Sequence, residues 1–192
     1  IDEVLENYGF RKNLQNKIFK ELLILRLKKF LEDQLAFPIP FQILMIENTI
    51  DNVKFGDISF KGKMDRIDKI GKAIRVVDYK TGSVSKFIIK EDFEEPKSFE
   101  DFQKYIDSFQ MPIYLYLLKI YYNLKYENVD ALFYSLKDGD NKKNEISVNL
   151  SKKYGETYLK KFIDIILDKS IPFEKSPKDS NTCNYCNFNQ FC

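Results

Sequence analysis

Gly62-Lys63-Met64-Asp65-Arg66-Ile67-Asp68 and, one short turn later, Val76-Val77-Asp78-Tyr79-Lys80-Thr81-Gly82 are the two segments on which the reading of this chain turns. The alternation around them predicts two strands, Ile58 to Ile67 and Ala73 to Tyr79, joined through Lys69-Ile70-Gly71-Lys72. So short a connection favours antiparallel pairing. Asp78 and Lys80 stand two apart and therefore share a strand face. Asp65, near the end of the neighbouring strand, meets Asp78. Two carboxylates brought together in a partly dry place repel, and one pKa rises unless a cation intervenes. A divalent metal removes that penalty, and hard oxygen ligands favour Mg or Mn over zinc. Lys80 beside it could orient or help deprotonate a water and stabilise charge developing on a phosphate. An isolated Asp-x-Lys carries little information, because exposed charges are common on paired strands. Asp78 follows the apolar pair Val76-Val77, which places it at the edge of a buried strand.

Upstream, residues from about Asp2 to Gln34 read as helix, with Leu14, Ile18, Leu22, Leu25, Leu27 and Phe30 at roughly helical spacing and Gly9 as a possible break. Phe37-Pro38-Ile39-Pro40 ends it. Ile43 to Thr49 is the first strand, followed by a turn near Asn52 or Gly56-Asp57. Downstream, Lys90 to Lys104 reads as an exposed loop, and a second helix runs from Phe102 or Tyr105 to Leu124. Asp130 to Leu136 is a fourth strand, Lys137 to Asn141 a polar turn, and Glu145 to Leu150 a fifth strand. A third helix spans Lys152 to Asp168, with one apolar stripe through Tyr158, Leu159, Phe162, Ile163, Ile166 and Leu167. With no internal repeat and no linker, residues 1–192 form one α+β domain, a mixed central sheet flanked by helices, with an irregular cysteine-bearing tail over 172–192.

Composition bounds the chemistry. The chain has 192 residues, 44% of them hydrophobic, enough for a real core. No apolar run approaches the roughly 20 residues of a membrane-spanning helix. Lys and Arg number 31 against 29 Asp and Glu, so a nucleic-acid partner would be held by a local basic surface rather than by global attraction. Histidine is absent, which excludes for this chain a Ser-His-Asp triad, a Cys-His pair and an HExxH zinc site. Acid–base and metal work falls to Asp, Glu, Lys, Tyr or Cys. No phosphate-binding GxxxxGK[ST] loop is present. The start at Ile1 and the lack of a signal segment suggest an excised domain.

Taken in order, Gly62-x-x-Asp65-Arg66-x-Asp68, Asp78-Tyr79-Lys80-Thr81-Gly82 and Gln110-x-x-x-Tyr114 resemble the RecB-like branch of the PD-(D/E)XK nuclease superfamily, over about Glu47 to Cys192. The closest likeness is to the C-terminal nuclease domains of RecB and AddA/AddB helicase–nucleases, with CRISPR-associated nucleases a near second. The resemblance implies a restriction-endonuclease-like fold and a Mg-dependent DNA nuclease, an exonuclease on DNA ends. It implies Asp65, Asp78 and the main-chain carbonyl of Tyr79 as metal ligands and Lys80 as the catalytic lysine. Gln110 and Tyr114, four apart on one helix face, match the family's glutamine–tyrosine motif and could contact Lys80 or the scissile phosphate. Arg66 and Asp68 form either an architectural ion pair or a phosphate contact. Glu47 is a support residue. DNA contacts are expected from Lys80, Arg66, Lys86, Lys137, Lys142 and Lys143, the last three on a hairpin. The family often places a metal-binding histidine on a preceding helix; this chain has none, and Glu21 and Glu32 fit solvated helix faces better than that role.

Cys183-x-x-Cys186-x5-Cys192 gathers all three cysteines into the last ten residues. A disulfide leaves one over and suits a reduced compartment poorly. Clustered thiolates suit zinc or an iron–sulfur cluster, both of which normally want a fourth ligand. The resemblance to the AddB branch implies a 4Fe–4S cluster completed by a cysteine far upstream, outside this chain. The expected setting is cytoplasmic, with DNA and a helicase domain or subunit as partners and break repair and recombination as the task. The alternatives are a CRISPR-adaptation or stand-alone exonuclease, or an inactive domain that only guides DNA.

Overall fold

Gly56 and Gly71, with φ of 57° and 58°, occupy the left-handed region that tight hairpin turns use and that glycine adopts without steric cost. In the computed structural model, which describes residues 2–7, 14–36, 39–82, 102, 105–106, 108–137 and 143–171, these turns build most of the sheet. Gly56-Asp57 joins β1 (Phe41–Phe55) to β2 (Ile58–Ile70), and Gly71-Lys72 joins β2 to β3 (Ala73–Lys80), both as antiparallel pairs. β4 (Val129–Ser135) runs parallel to β3, with Ile74 opposite Val129 and Lys80 opposite Ser135. The order β1-β2-β3-β4 makes the mixed sheet expected of the α+β class. β1 is longer than the expected Ile43–Thr49. Its register with β2 shifts between Ile50 and Val53, where Asn52 takes φ 56°, so a β-bulge carries the strand onward to Phe55 rather than turning it.

The helices are α1 (Asp2–Asn7), α2 (Leu14–Leu35), α3 (Gln110–Tyr121) and α4 (Lys143–Leu167), with a 3-10 turn at Tyr126–Asn128 before β4. Residues 8–13, including Gly9, lie outside the described residues, as do 83–101 and the 172–192 tail. Phe102 and Tyr105 are already helical, as the sequence suggests, but Ser108 and Phe109 are not, so α3 starts at Gln110; it is the centre of the core. Met111, Leu115, Leu117 and Leu118 are wholly buried, because one side of the helix meets the sheet and another meets α4. Two glycines permit those approaches. A Cβ at Gly62 on β2 would lie 2.6 Å from Leu117 Cδ1, and one at Gly155 on α4 would lie 3.1 Å from Pro112 Cβ. The fifth strand expected at Glu145–Leu150 does not form; that segment is the first part of α4. The alternation of Ile146, Val148 and Leu150 overlaps a helical repeat in which Val148, Ser151, Gly155, Tyr158, Leu159 and Ile165 are all buried, and the longer helical period wins.

The opposite face of the sheet is met by the C-terminal part of α2. Phe30 stands edge-on to Tyr79 at 5.5 Å and to Tyr134 at 5.1 Å between ring centroids. The Tyr134 hydroxyl donates to Asp33 Oδ2 at 2.7 Å. Alternation along β3 therefore sends Tyr79 toward α2 and Asp78 and Lys80 toward α3. Among the described residues no helix is long and apolar enough to cross a membrane.

Candidate active site

The ladder between β2 and β3 ends at Arg66 opposite Val77. The next residues outward on the two strands are Asp65 and Asp78, so both carboxylates stand where the strands part. The Tyr79 amide, having no ladder partner on β2, donates instead to Asp65 Oδ2 at 2.8 Å. Leu136 N donates to Lys80 O at 2.9 Å, so the peptide groups of Lys80 face β4. Those of Tyr79, one residue earlier, face the other way, which turns its carbonyl toward the side of the strand where Asp65 lies.

Asp78 is only 5% exposed. Its Oδ1 accepts from Gln110 Nε2 at 2.9 Å, with the Tyr114 hydroxyl 3.5 Å away. Its Oδ2 faces Lys80 Nζ at 2.6 Å as an ion pair but accepts no aligned hydrogen bond. Lys80 Nζ donates to Gln110 Oε1 at 2.9 Å and lies 4.9 Å from the centroid of the Phe133 ring. Gln110 is thus a clamp, its carbonyl on the lysine and its amide on the aspartate, and only one orientation of the amide satisfies both. Nε2 also donates to the Tyr114 hydroxyl at 2.9 Å, and that hydroxyl donates to the Lys63 carbonyl at 2.9 Å. Burial pushes the Tyr114 phenol above its ordinary range; the Gln110 hydrogen bond opposes this and the charges of Asp78 and Asp65 add to it. Tyr114 therefore stays a neutral donor, which fixes the bond to Lys63 O and ties α3 to β2 beside Asp65.

A family model described as the PD-(D/E)XK nuclease superfamily matches residues 1–192. The chain belongs to this superfamily. No curated protein and no solved structure matches it significantly. Members of the PD-(D/E)XK superfamily are typically nucleases and generally use Mg or Mn, and the fold seen here, a mixed sheet with flanking helices, is that of the superfamily. The donors in the gap suit such an ion. Among the described residues no three His, Cys, Asp or Glu converge, and the oxygen donors beside the gap are the Asp65 and Asp78 carboxylates and the Tyr79 carbonyl. Hard oxygen donors of this kind fit a small divalent cation. The buried Asp78 Oδ2, with no aligned hydrogen bond, leaves an acceptor available to it.

Within this PD-(D/E)XK nuclease domain the other anticipated residues divide. Arg66, open in the sequence between an ion pair and a DNA contact, forms the ion pair: it is 7% exposed, and its Nε and Nη2 donate to Asp68 Oδ2 at 3.1 and 2.8 Å. Buried and engaged, it is no surface for phosphate. Burial pushes the Asp68 carboxyl up, and Arg66 pulls it back. Glu47 lies on β1 between the partners of Arg66 and Met64, takes φ 49°, and pairs with Lys63 in solvent. Glu21 and Glu32 are exposed on α2. Lys137 is exposed in the turn after β4, whereas Lys143 opens α4, so the strand expected to complete the lysine hairpin is helix instead. Lys86, Lys142, Cys183, Cys186 and Cys192 lie outside the described residues. Sequence reasoning missed Gln34, which accepts from Arg66 Nη2 at 2.9 Å, and the Lys63 carbonyl that holds Tyr114. Neither carries a local sequence signal, since each contact spans more than thirty residues.

Proposed function

We propose that this chain is a Mg- or Mn-dependent DNA nuclease that hydrolyses phosphodiester bonds at DNA ends, with Asp65, Asp78 and the Tyr79 carbonyl as metal ligands and Lys80 as the catalytic lysine. The observation that carries the reading is the clamp at Lys80. Its ammonium is held between Asp78 and Gln110 at the point where β2 and β3 part, within reach of anything bound to the two carboxylates. A divalent cation, when bound, supplies a nucleophilic water at neutral pH and polarises the phosphate. The chain's own part is positional and electrostatic. Lys80 places a fixed positive charge beside the phosphate, where negative charge develops in the transition state, and gives the attacking water a polar neighbour. Gln110 keeps that charge from swinging into solvent, and Tyr114 braces Gln110 against β2. Burial of Asp78 lowers the local dielectric and so raises the worth of each of these interactions.

The three-cysteine tail supports the AddB type within this reading: a nuclease domain of a helicase–nuclease that acts on double-strand breaks in the cytoplasm, with Cys183, Cys186 and Cys192 as three ligands of a 4Fe–4S cluster completed from upstream. The test compares end-labelled linear DNA, single- and double-stranded, with closed circular DNA, in Mg, in Mn and in EDTA. Cleavage confined to linear DNA and abolished by EDTA is expected. Cleavage of circles at the same rate overturns the end-directed part, and cleavage that survives EDTA overturns the metal-dependent part.

A further inference from the structure

Arg66 sits on the strand face opposite the carboxylate gap, yet it touches the residue that forms one edge of that gap. Its guanidinium carbon lies 5.7 Å from the centre of the Tyr79 ring and 5.3 Å from that of Phe41. Its nitrogens are fixed by Asp68 on the same strand and by Gln34 on α2. Phe30 of α2 closes on the Tyr79 ring edge-on. The ring of Tyr79 is therefore held on the α2 side by Arg66, by Phe30 and, edge-on at 6.4 Å, by Tyr134, while its peptide projects to the other edge of β3 and donates to Asp65. No β2 backbone group pairs with that peptide, since the ladder has already ended. β3 itself stays paired with β4, Tyr79 opposite Tyr134; on the β2 side, where the ladder has ended, the anchored ring adds a further constraint on where the Tyr79 peptide, and with it the Asp65 carboxylate, stands.

We propose that Arg66 is a positioning residue for the metal-binding edge of the site, acting through the Tyr79 ring, and that its bond to Gln34 makes the docking of α2 part of that positioning. This rests on the proposed metal-binding role of Asp65, Asp78 and Tyr79. A cation site gains from donors already fixed in place, because the ordering cost is not met at the moment of binding. Cation–π contact from a guanidinium held by three hydrogen bonds holds a ring more narrowly than apolar packing does. The Arg66–Asp68 pair is also of the kind that adds little net stability when compared with apolar residues of the same volume, which leaves specificity of geometry as its use here.

The experiment uses the full 192-residue chain and reads Mn2+ affinity by loss of the free-ion EPR signal, alongside Tm, kcat and KM. The double variant Arg66→Met/Asp68→Leu removes the ion pair without stranding a charge. A Tm within a few degrees of the parent is expected, with Mn2+ half-saturation raised about tenfold and kcat lowered about tenfold at unchanged KM. Tyr79→Leu, which deletes the ring and keeps the peptide, reproduces both losses. A folded double variant with parental Mn2+ affinity and kcat overturns the proposal. Should the double variant not fold, parental Mn2+ affinity in Tyr79→Leu overturns it by itself. Asp78→Ala separates the two levels: if it binds Mn2+ as the parent does, the metal site is misplaced and the positioning role falls with it.

Discussion

Replacing Gln110 with leucine keeps the volume near that of the amide and removes three hydrogen bonds at once: from Lys80, to Asp78 and to Tyr114. The three are unequal. The Lys80 side chain is 36% exposed, so water takes over much of what Gln110 gave it. Asp78 is buried, and its Oδ1 is left with only the Tyr114 hydroxyl at 3.5 Å, which is at the limit of a hydrogen bond. An acceptor deprived of its donor in such a place costs about 1–3 kcal/mol. If that energy holds the lysine–aspartate pair in its working geometry, a comparable fraction is lost from the transition state. At about 1.4 kcal/mol per decade, the rate falls by about ten- to a hundredfold. Gln110→Glu is the sharper companion. It keeps an acceptor for Lys80 but sets a carboxylate against Asp78 Oδ1, so its loss exceeds that of Gln110→Leu. The assay is steady-state cleavage of a fluorescently quenched oligonucleotide in Mg, with Tm measured in parallel. A Gln110→Leu protein that cleaves within twofold of the parent, under conditions where Asp78→Ala is inactive, refutes the clamp.

Two further outcomes test the frame that carries the site. Gly62→Ala places a Cβ 2.6 Å from Leu117 Cδ1, in a core where Leu117 is wholly buried and has little room to yield. Overpacking of this kind costs about 1–3 kcal/mol, read as a lower midpoint in urea, and adding Leu117→Val recovers part of it. For Glu156, burial opposes the charge, but hydrogen bonds from Lys119 and Tyr126 outweigh it and hold the carboxyl below its ordinary 4.5. Between the folded and unfolded values the unfolded chain binds more protons, so this pair's contribution is complete above pH 4.5 and is lost as pH falls through the folded value. Partial exposure limits it to about 1 kcal/mol or less. Glu156→Gln therefore lowers stability at pH 7 but not at pH 2.5; equal effects at both pH values refute the assignment.

What the sequence disclosed was local, and what it hid was carried over distance or by two periods at once. The β2–β3 hairpin and its carboxylates were legible because two residues of turn and a period of two leave few alternatives. Asn52 read as a turn because asparagine tolerates the left-handed region, a property that a bulge uses as readily. Residues 145–150 alternate in hydrophobicity, and only burial along the whole of α4 decides that they belong to a helix. Gln110 and Tyr114 were legible as a pair on one helix face, but the Lys63 carbonyl that braces them leaves no trace in composition. Arg66-x-Asp68 was legible as a pair, whereas its partner Gln34 enters only when α2 folds back over the sheet. Absence of histidine turned attention to Asp65, Asp78 and Lys80, and the structure brings all three to the point where β2 and β3 part.

Asp65, Asp78 and Lys80 are proposed to form one metal-dependent phosphodiesterase site. Its most direct test is the cleavage rate of the parent, Asp78→Ala and Lys80→Ala proteins on one linear DNA, at saturating Mg and with purity established for each. Each substitution is expected to lower the rate by on the order of a thousandfold while Tm shows the chain still folded. Cleavage by all three proteins at the same rate contradicts it and places the activity elsewhere.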